Sequence, residues 1–233
     1  MSATASAVRE RPILFSAPMV RSILADEKTQ TRRVITPQPE PCMDLPGRAW
    51  YQRDRRLRWC DYTHEEFIAR CPYGAAGDRL WVRETLRGDG QPGNRRVGIV
   101  RYGADGEMVL VCCGCGSVHC TCFDEDQPTR MDLVWEWERP VVPSIFMPRW
   151  ASRILLEITD VRAERLQDIR HKDADLEAEG IELGPSELFP HTNRADKLAR
   201  HFKNLWDSLN AKRGYGFDVN PWVWAITFRR VTP

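Results

Sequence analysis

Lys28 and Thr31 stand three residues apart in Lys28-Thr29-Gln30-Thr31-Arg32-Arg33, and an amine beside an alcohol is the starting material of nucleophilic catalysis. An alcohol is a poor nucleophile at neutral pH, so Thr31 needs a base. A Lys whose ammonium is desolvated and flanked by Arg has a lowered pKa and can take the hydroxyl proton, while a carboxylate orients the Lys or shuttles a proton. Plainer readings exist for the same run. Lys28 and Arg32 on a solvated last turn favour the helix dipole, and such a loop can hold a phosphate or a base edge without catalysing anything.

A second concentration of reactive side chains is Cys112-Cys113-Gly114-Cys115-Gly116-Ser117-Val118-His119-Cys120-Thr121-Cys122, which holds five of the eight cysteines. Zinc takes four soft ligands in a tetrahedron, and a short loop with Gly lets two chelating pairs converge. One ligand set is Cys112, Cys115, His119 and Cys122; the other is Cys113, Cys115, Cys120 and Cys122. The pairs are close together, so either site is cramped. The expectation is a structural zinc, with a reduced, metal-free hairpin as the alternative. No Glu follows in the His-x-Glu pattern of zinc deaminases. Cys71, at a Cys-Pro turn, reads as structural.

These groups need elements to position them. Ser16 can cap a helix, Pro18 suits its first turn, and Met19, Val20, Ile23 and Leu24 form one apolar face, which predicts a short anchored helix leading into a loop at Lys28. Strands are predicted over 80–85, 154–161 and 222–231, the last alternating Trp222, Trp224, Ile226 and Phe228 against Val223, Ala225, Thr227 and Arg229. A short helix over 173–179 ends at Gly180, and a longer one over 195–209 carries Leu198, Phe202, Leu205, Trp206 and Leu209 at helical spacing. Pro37-Gln38-Pro39-Glu40-Pro41 reads as a stiff connector and residues 1–10 as a mobile tail. Residues 97–102 and 108–111 flank Ala104-Asp105-Gly106, a hairpin signal, within an insertion over 88–139. Strands and helices without regular alternation indicate an α+β fold, with 11–233 as one domain.

Composition narrows the partners. With 34 Lys+Arg against 33 Asp+Glu among 233 residues, nucleic acid would have to bind through a local patch, and a histone-like binder is excluded. Hydrophobic residues at 42% and nine Trp support a packed core. There is no apolar run of membrane-spanning length and no signal-peptide core near the N-terminus, so the expected location is the cytoplasm, where thiols stay reduced.

Four segments carry a resemblance: Cys71-Pro72-Tyr73-Gly74, Gly77-Asp78-Arg79-Leu80-Trp81-Val82-Arg83-Glu84, Met147-Pro148-Arg149-Trp150-Ala151-Ser152-Arg153, and Asn220-Pro221-Trp222-Val223-Trp224. Together, and in this order, they resemble the ASCH domain, a branch of the PUA-like superfamily, and particularly its longer members encoded in phages and prophages. The likeness covers 11–87 and 140–231. It implies a small, partly open β-barrel flanked by helices. Small bacterial ASCH proteins include amidohydrolases that remove the acetyl group from N(4)-acetylcytidine with a proposed Lys, Thr and Glu triad. The Lys-Thr-x-Thr stretch of that family matches Lys28-Thr29-Gln30-Thr31, and its Glu matches Glu179, with Glu177 as the alternative. No cofactor is needed for that chemistry.

Other ASCH proteins are proposed to bind RNA or to be ribonucleases. If the barrel brings the motifs to one rim, Arg32, Arg33, Arg79, Arg83, Arg149 and Arg153 would form a basic cleft, with Trp81, Trp150, Trp222 and Trp224 as candidate stacking rings. Most of these Trp should be core. Asp78 and Glu84 would neutralise part of the Arg charge, leaving a pocket for one modified base or nucleoside. The sequence therefore points to recognition of a nucleobase, nucleoside or single-stranded RNA or DNA, with amide hydrolysis on an acylated cytidine. Its competitor is a noncatalytic RNA-, DNA- or protein-binding phage module for assembly, regulation or counter-defence.

Overall fold

The computed structural model describes residues 8–54, 56, 58–88, 100–109, 141–181 and 193–231. The chain runs β1 (Glu10–Leu14), α1 (Ala17–Leu24), β2 (Gln30–Val34), β3 (Glu40–Pro41), β4 (Trp50–Arg53), β5 (Trp59–Tyr62), α2 (His64–Ile68), β6 (Arg79–Arg83), β7 (Leu86–Gly88), β8 (Val100–Tyr102), β9 (Met108–Val109), β10 (Val141–Val142), β11 (Leu155–Arg165), α3 (Asp173–Ala178), α4 (Arg194–Asn210) and β12 (Trp222–Val231). The fold class is α+β. The strands form a five-stranded sheet of order β1-β6-β11-β12-β2, a four-stranded sheet β10-β7-β8-β9 and a three-stranded sheet β3-β4-β5. No helix among the described residues is long and apolar enough to cross a membrane.

Contacts divide the chain into two units, one of residues 1–11, 22–80 and 154–233 and one of residues 12–21 and 81–153. In the first, β12 lies between β11 and β2, antiparallel to both. A strand with neighbours on both edges and layers on both faces reads as a continuous apolar run, and Val223, Trp224, Ala225 and Ile226 are all buried. Beneath it α3 and α4 pack through Leu176, Leu198, Phe202 and Trp206 onto Val223 and Phe217. Asn193 caps α4 by accepting from the Ala195 N–H at 3.1 Å. In the second unit Leu86, Tyr102, Val142, Met147 and Ala151 form a smaller core.

Three expectations change. The Thr and Arg residues after Lys28 do not form a loop: Gln30–Val34 is a strand, paired in the register Thr31↔Ile226, Arg32↔Ala225 and Arg33↔Trp224. β12 offers these residues backbone partners along its whole edge, which outweighs their polarity. The apolar stripe of α4 is narrower than its spacing suggests, because Leu205 and Leu209 are exposed while Leu198, Phe202 and Trp206 are buried. The strand expected over 154–161 continues to Arg165. The hairpin signal is realised by β8 and β9, whereas the cysteine cluster and both zinc ligand sets lie outside the described residues.

Candidate functional site

The α1 helix ends in a tight sequence of backbone bonds that fixes Lys28. The N–H groups of Glu27 and Lys28 both donate to the Ser22 carbonyl, at 2.9 and 3.1 Å, and Lys28 forms a β-bridge with Glu179. Gly180 follows with φ +67°, a conformation that L side chains rarely adopt, and a Cβ there would sit 2.6 Å from the Lys28 Cβ. The turn that ends α3 is thus shaped to lie directly against Lys28.

Lys28 is 2% exposed and Glu179 7%. The Lys28 Nζ donates to Glu179 Oε2 at 2.8 Å and to the Glu179 carbonyl at 2.7 Å. Glu179 Oε1 accepts from Arg32 Nη1 at 2.9 Å, so one carboxylate joins two buried cations. Arg32 in turn donates to Glu164 at 2.6 and 3.0 Å, to Asp175 at 2.9 Å and to Gln30 at 2.7 Å. Lys172 closes the network on Glu164 at 2.9 Å. Burial pulls the Lys28 ammonium below its ordinary range, Glu179 opposes that shift, and the positive charges of Arg33 and Arg32 add to it. For Arg32 burial also works against the charge, but Glu179 and Glu164 outweigh it and hold the guanidinium charged.

The sheet explains why these groups meet. Cross-strand partners share a face, so Gln30 and Arg32 lie on one side of β2 with Thr227 and Ala225, while Thr31 and Arg33 lie on the other with Ile226 and Trp224. Ala225 and Arg162 continue the Arg32 row into β11, with Glu164 one step along the same face. The small Ala225 side chain leaves room for Arg32 to reach across to Glu164. On the opposite face, Thr31 is 1% exposed and its Oγ1 accepts from Arg33 Nη1 at 2.6 Å. Burial lowers the Arg33 pKa, against the opposing effect of Tyr73 and Glu179. Arg33 therefore relates the two sets: it holds the Thr31 hydroxyl, and its charge acts on Lys28.

Of the two candidate carboxylates, Glu179 is the one against Lys28; Glu177 is exposed and pairs with Arg194 at 3.2 Å. Arg32, expected on a rim, is instead enclosed among carboxylates with no exposed side-chain surface. Arg79 is half-buried and its N–H donates to the Arg9 carbonyl at 2.8 Å. In the second unit Arg83 and Arg149 lie 4.5 and 5.9 Å from the Trp81 ring, and Trp150 is exposed. Arg153 faces inward to a carboxylate set. It meets both Glu84 oxygens at 2.9 and 3.0 Å, Asp105 at 2.9 Å, and Glu107, and it covers the Tyr102 ring. Trp81 and Trp224 are core rings, the latter stacked on Phe67.

Sequence reasoning missed Gln30, Glu164, Asp175 and Lys172. For Glu164 the one signal is the charged alternation Asp160, Arg162, Glu164 within an apolar strand, which places ionisable groups on a single sheet face. Among the described residues no group of three or more His, Cys, Asp or Glu side chains could hold a metal ion. Cys71 is buried and its thiol is pushed up to about 11 by burial, the state of an inert structural cysteine. No family model, curated protein or solved structure matches the chain.

Proposed function

We propose that this chain is an ASCH-like protein with a partly open PUA-like barrel, phage- or prophage-encoded and cytoplasmic, that recognises a nucleobase or nucleoside and hydrolyses an acyl amide on it. An N(4)-acetylcytidine-like base is the proposed substrate. The observation that carries the reading is the desolvated Lys28 ammonium held by Glu179 and influenced by the Arg33 that holds Thr31. A lowered pKa makes the Lys28 amine give up its proton more readily than an exposed Lys would, and that amine is the proposed base, receiving the Thr31 proton by way of a water. The Arg33 hydrogen bond to Oγ1 favours the alkoxide over the alcohol. Thr31 attacks the amide carbonyl, the C–N bond breaks as Glu179 manages the proton that leaves with the amine, and a water then cleaves the acyl-Thr31 ester to release the carboxylate and restore the hydroxyl; if an activated water attacks in place of Thr31, amine and carboxylate form without that ester. A zinc held by one of the two cysteine sets is proposed as structural and takes no part in these steps.

The test is chromatography of N(4)-acetylcytidine and related acylated nucleosides incubated with wild-type protein, Lys28→Ala and Thr31→Ala. Deacylation by the wild type that is lost in both variants supports the proposal. A second reading draws on burial: Lys28, Thr31 and Glu179 are each less than a tenth exposed, as in a purely structural ion network. In that reading the chain is a noncatalytic RNA-, DNA- or protein-binding module, and the substrate panel shows no turnover.

A further inference from the structure

The densest positive charge in the chain is remote from Lys28 in sequence. Residues 48–59, Arg48-Ala49-Trp50-Tyr51-Gln52-Arg53-Asp54-Arg55-Arg56-Leu57-Arg58-Trp59, contain five Arg and one acidic residue in a protein of net charge +1. The described residues among them lie in the β4–β5 hairpin, whose register pairs Arg53 with Trp59, Gln52 with Cys60 and Tyr51 with Asp61. Strand alternation gives the ribbon two unlike faces. Trp50 and Gln52 point inward; Trp50 stacks on Phe67 at 5.0 Å and meets the Trp222 ring edge-on at 4.6 Å. Tyr51, Arg53 and Trp59 occupy the other face.

That outer face keeps a large aromatic ring in water. Trp59 is 48% exposed, with the Arg53 guanidinium 5.0 Å from its ring and Tyr51 edge-on at 6.5 Å. The turn is ordered from within, because Asp54 accepts from the N–H groups of Arg56 and Arg58 at 2.7 and 2.9 Å and also from the Arg58 side chain. Arg58 is therefore partly neutralised, and Arg48 is paired with Asp61 and Glu66. Arg53 and Arg56 are exposed and have no carboxylate partner among the described residues. The hairpin thus offers an exposed aromatic ring beside the Arg53 guanidinium, with Arg56 exposed in the turn.

We infer that the outer face and tip of this hairpin bind a single-stranded polynucleotide, with a base stacked on Trp59 and phosphates held by Arg53 and Arg56. Aromatic stacking with flanking cations is the chemistry of single-strand binding, since an unpaired base offers a π-face and the backbone offers regularly spaced anions. A fully paired duplex hides its base faces and leaves only phosphate contacts. The inference stands whether or not Lys28 and Thr31 are catalytic.

The experiment is fluorescence anisotropy of a fluorescein-labelled oligouridylate titrated with the intact protein over a range of salt. Trp59→Ala should weaken binding roughly 5- to 150-fold, the range for losing one stacked base, with the salt slope unchanged. Trp59→Phe should restore most of the affinity. Arg53→Ala/Arg56→Ala should instead flatten the slope of log K against log salt by about 1.4, two lost contacts at about 0.7 each. Because this binding is read without any acylated nucleoside, failure of this surface is distinguished from failure of the catalytic proposal. The inference is overturned if the oligouridylate does not bind, if a blunt duplex binds as tightly, or if Trp59→Ala and Arg53→Ala/Arg56→Ala both bind as the wild type does.

Discussion

Replacing Glu179 by Gln keeps the shape of the buried junction and removes the charge that joins Lys28 to Arg32. Both Glu179 oxygens are engaged, at 2.8 Å to Lys28 and 2.9 Å to Arg32, and Lys28 is 2% exposed. Stripping one partner from a buried pair costs about 3–5 kcal/mol, because the remaining charge is left without compensation. Lys28 can limit the loss by giving up its proton, which burial already favours, and Arg32 retains Glu164 and Asp175. The expected loss is therefore at the lower end, about 3 kcal/mol, equivalent to a fall in Tm of roughly 6–12 °C for a chain of this size. Adding Lys28→Met removes a positive charge along with the negative one and restores the charge balance around Arg32. The double variant should be more stable than the two single losses predict, with a coupling of about 2 kcal/mol. Urea unfolding followed by Trp fluorescence measures all four corners of the cycle. Effects that add to within about 0.5 kcal/mol would refute the argument that Glu179 is the charge partner of Lys28.

Lys28 also sets a pH dependence. Its folded pKa lies below the ordinary 10.5, so between those two values the unfolded chain holds a proton that the folded protein has released, and the contribution of Lys28 to stability rises with pH. Comparing wild type with Lys28→Met in urea at a series of alkaline pH values should show that rise in the wild type alone. Gly180→Ala forces a left-handed φ on a residue with a Cβ, costing about 1–2 kcal/mol, and pushes on Lys28; a Tm reduced with a change in the Lys28-dependent pH profile is the expected result. Native alkylation with iodoacetamide at mildly alkaline pH should leave Cys71 unmodified by mass spectrometry, since its thiol is buried and pushed up to about 11.

Much of the scaffold was legible because its signals are local. The apolar face of α1, the Gly180 stop after α3 and the bounds of β12 follow from capping, helical spacing and strand composition. The grouping of Lys28 with Glu179 came from resemblance to a family and not from any local pattern; 151 residues separate the two. What could not be read was which groups share a sheet face. That depends on the register of β2 against β12, and only with Arg32 opposite Ala225 does it become clear that Arg32 turns inward to Glu164 and Asp175. Trp59 was passed over for a similar reason. Its hairpin has short strands and a charged turn, and its meaning emerges once Trp50 is seen to fill the inner face and leave Trp59 outside.

The most direct test of the catalytic account is acetate release from N(4)-acetylcytidine by wild type, Thr31→Ser and Thr31→Val. Thr31→Ser keeps a hydroxyl where Arg33 can donate to it, and Thr31→Val keeps the shape without the oxygen. The account predicts release by wild type and Thr31→Ser and none by Thr31→Val in a folded protein; release by Thr31→Val at the wild-type rate, or none by any of the three, would contradict it.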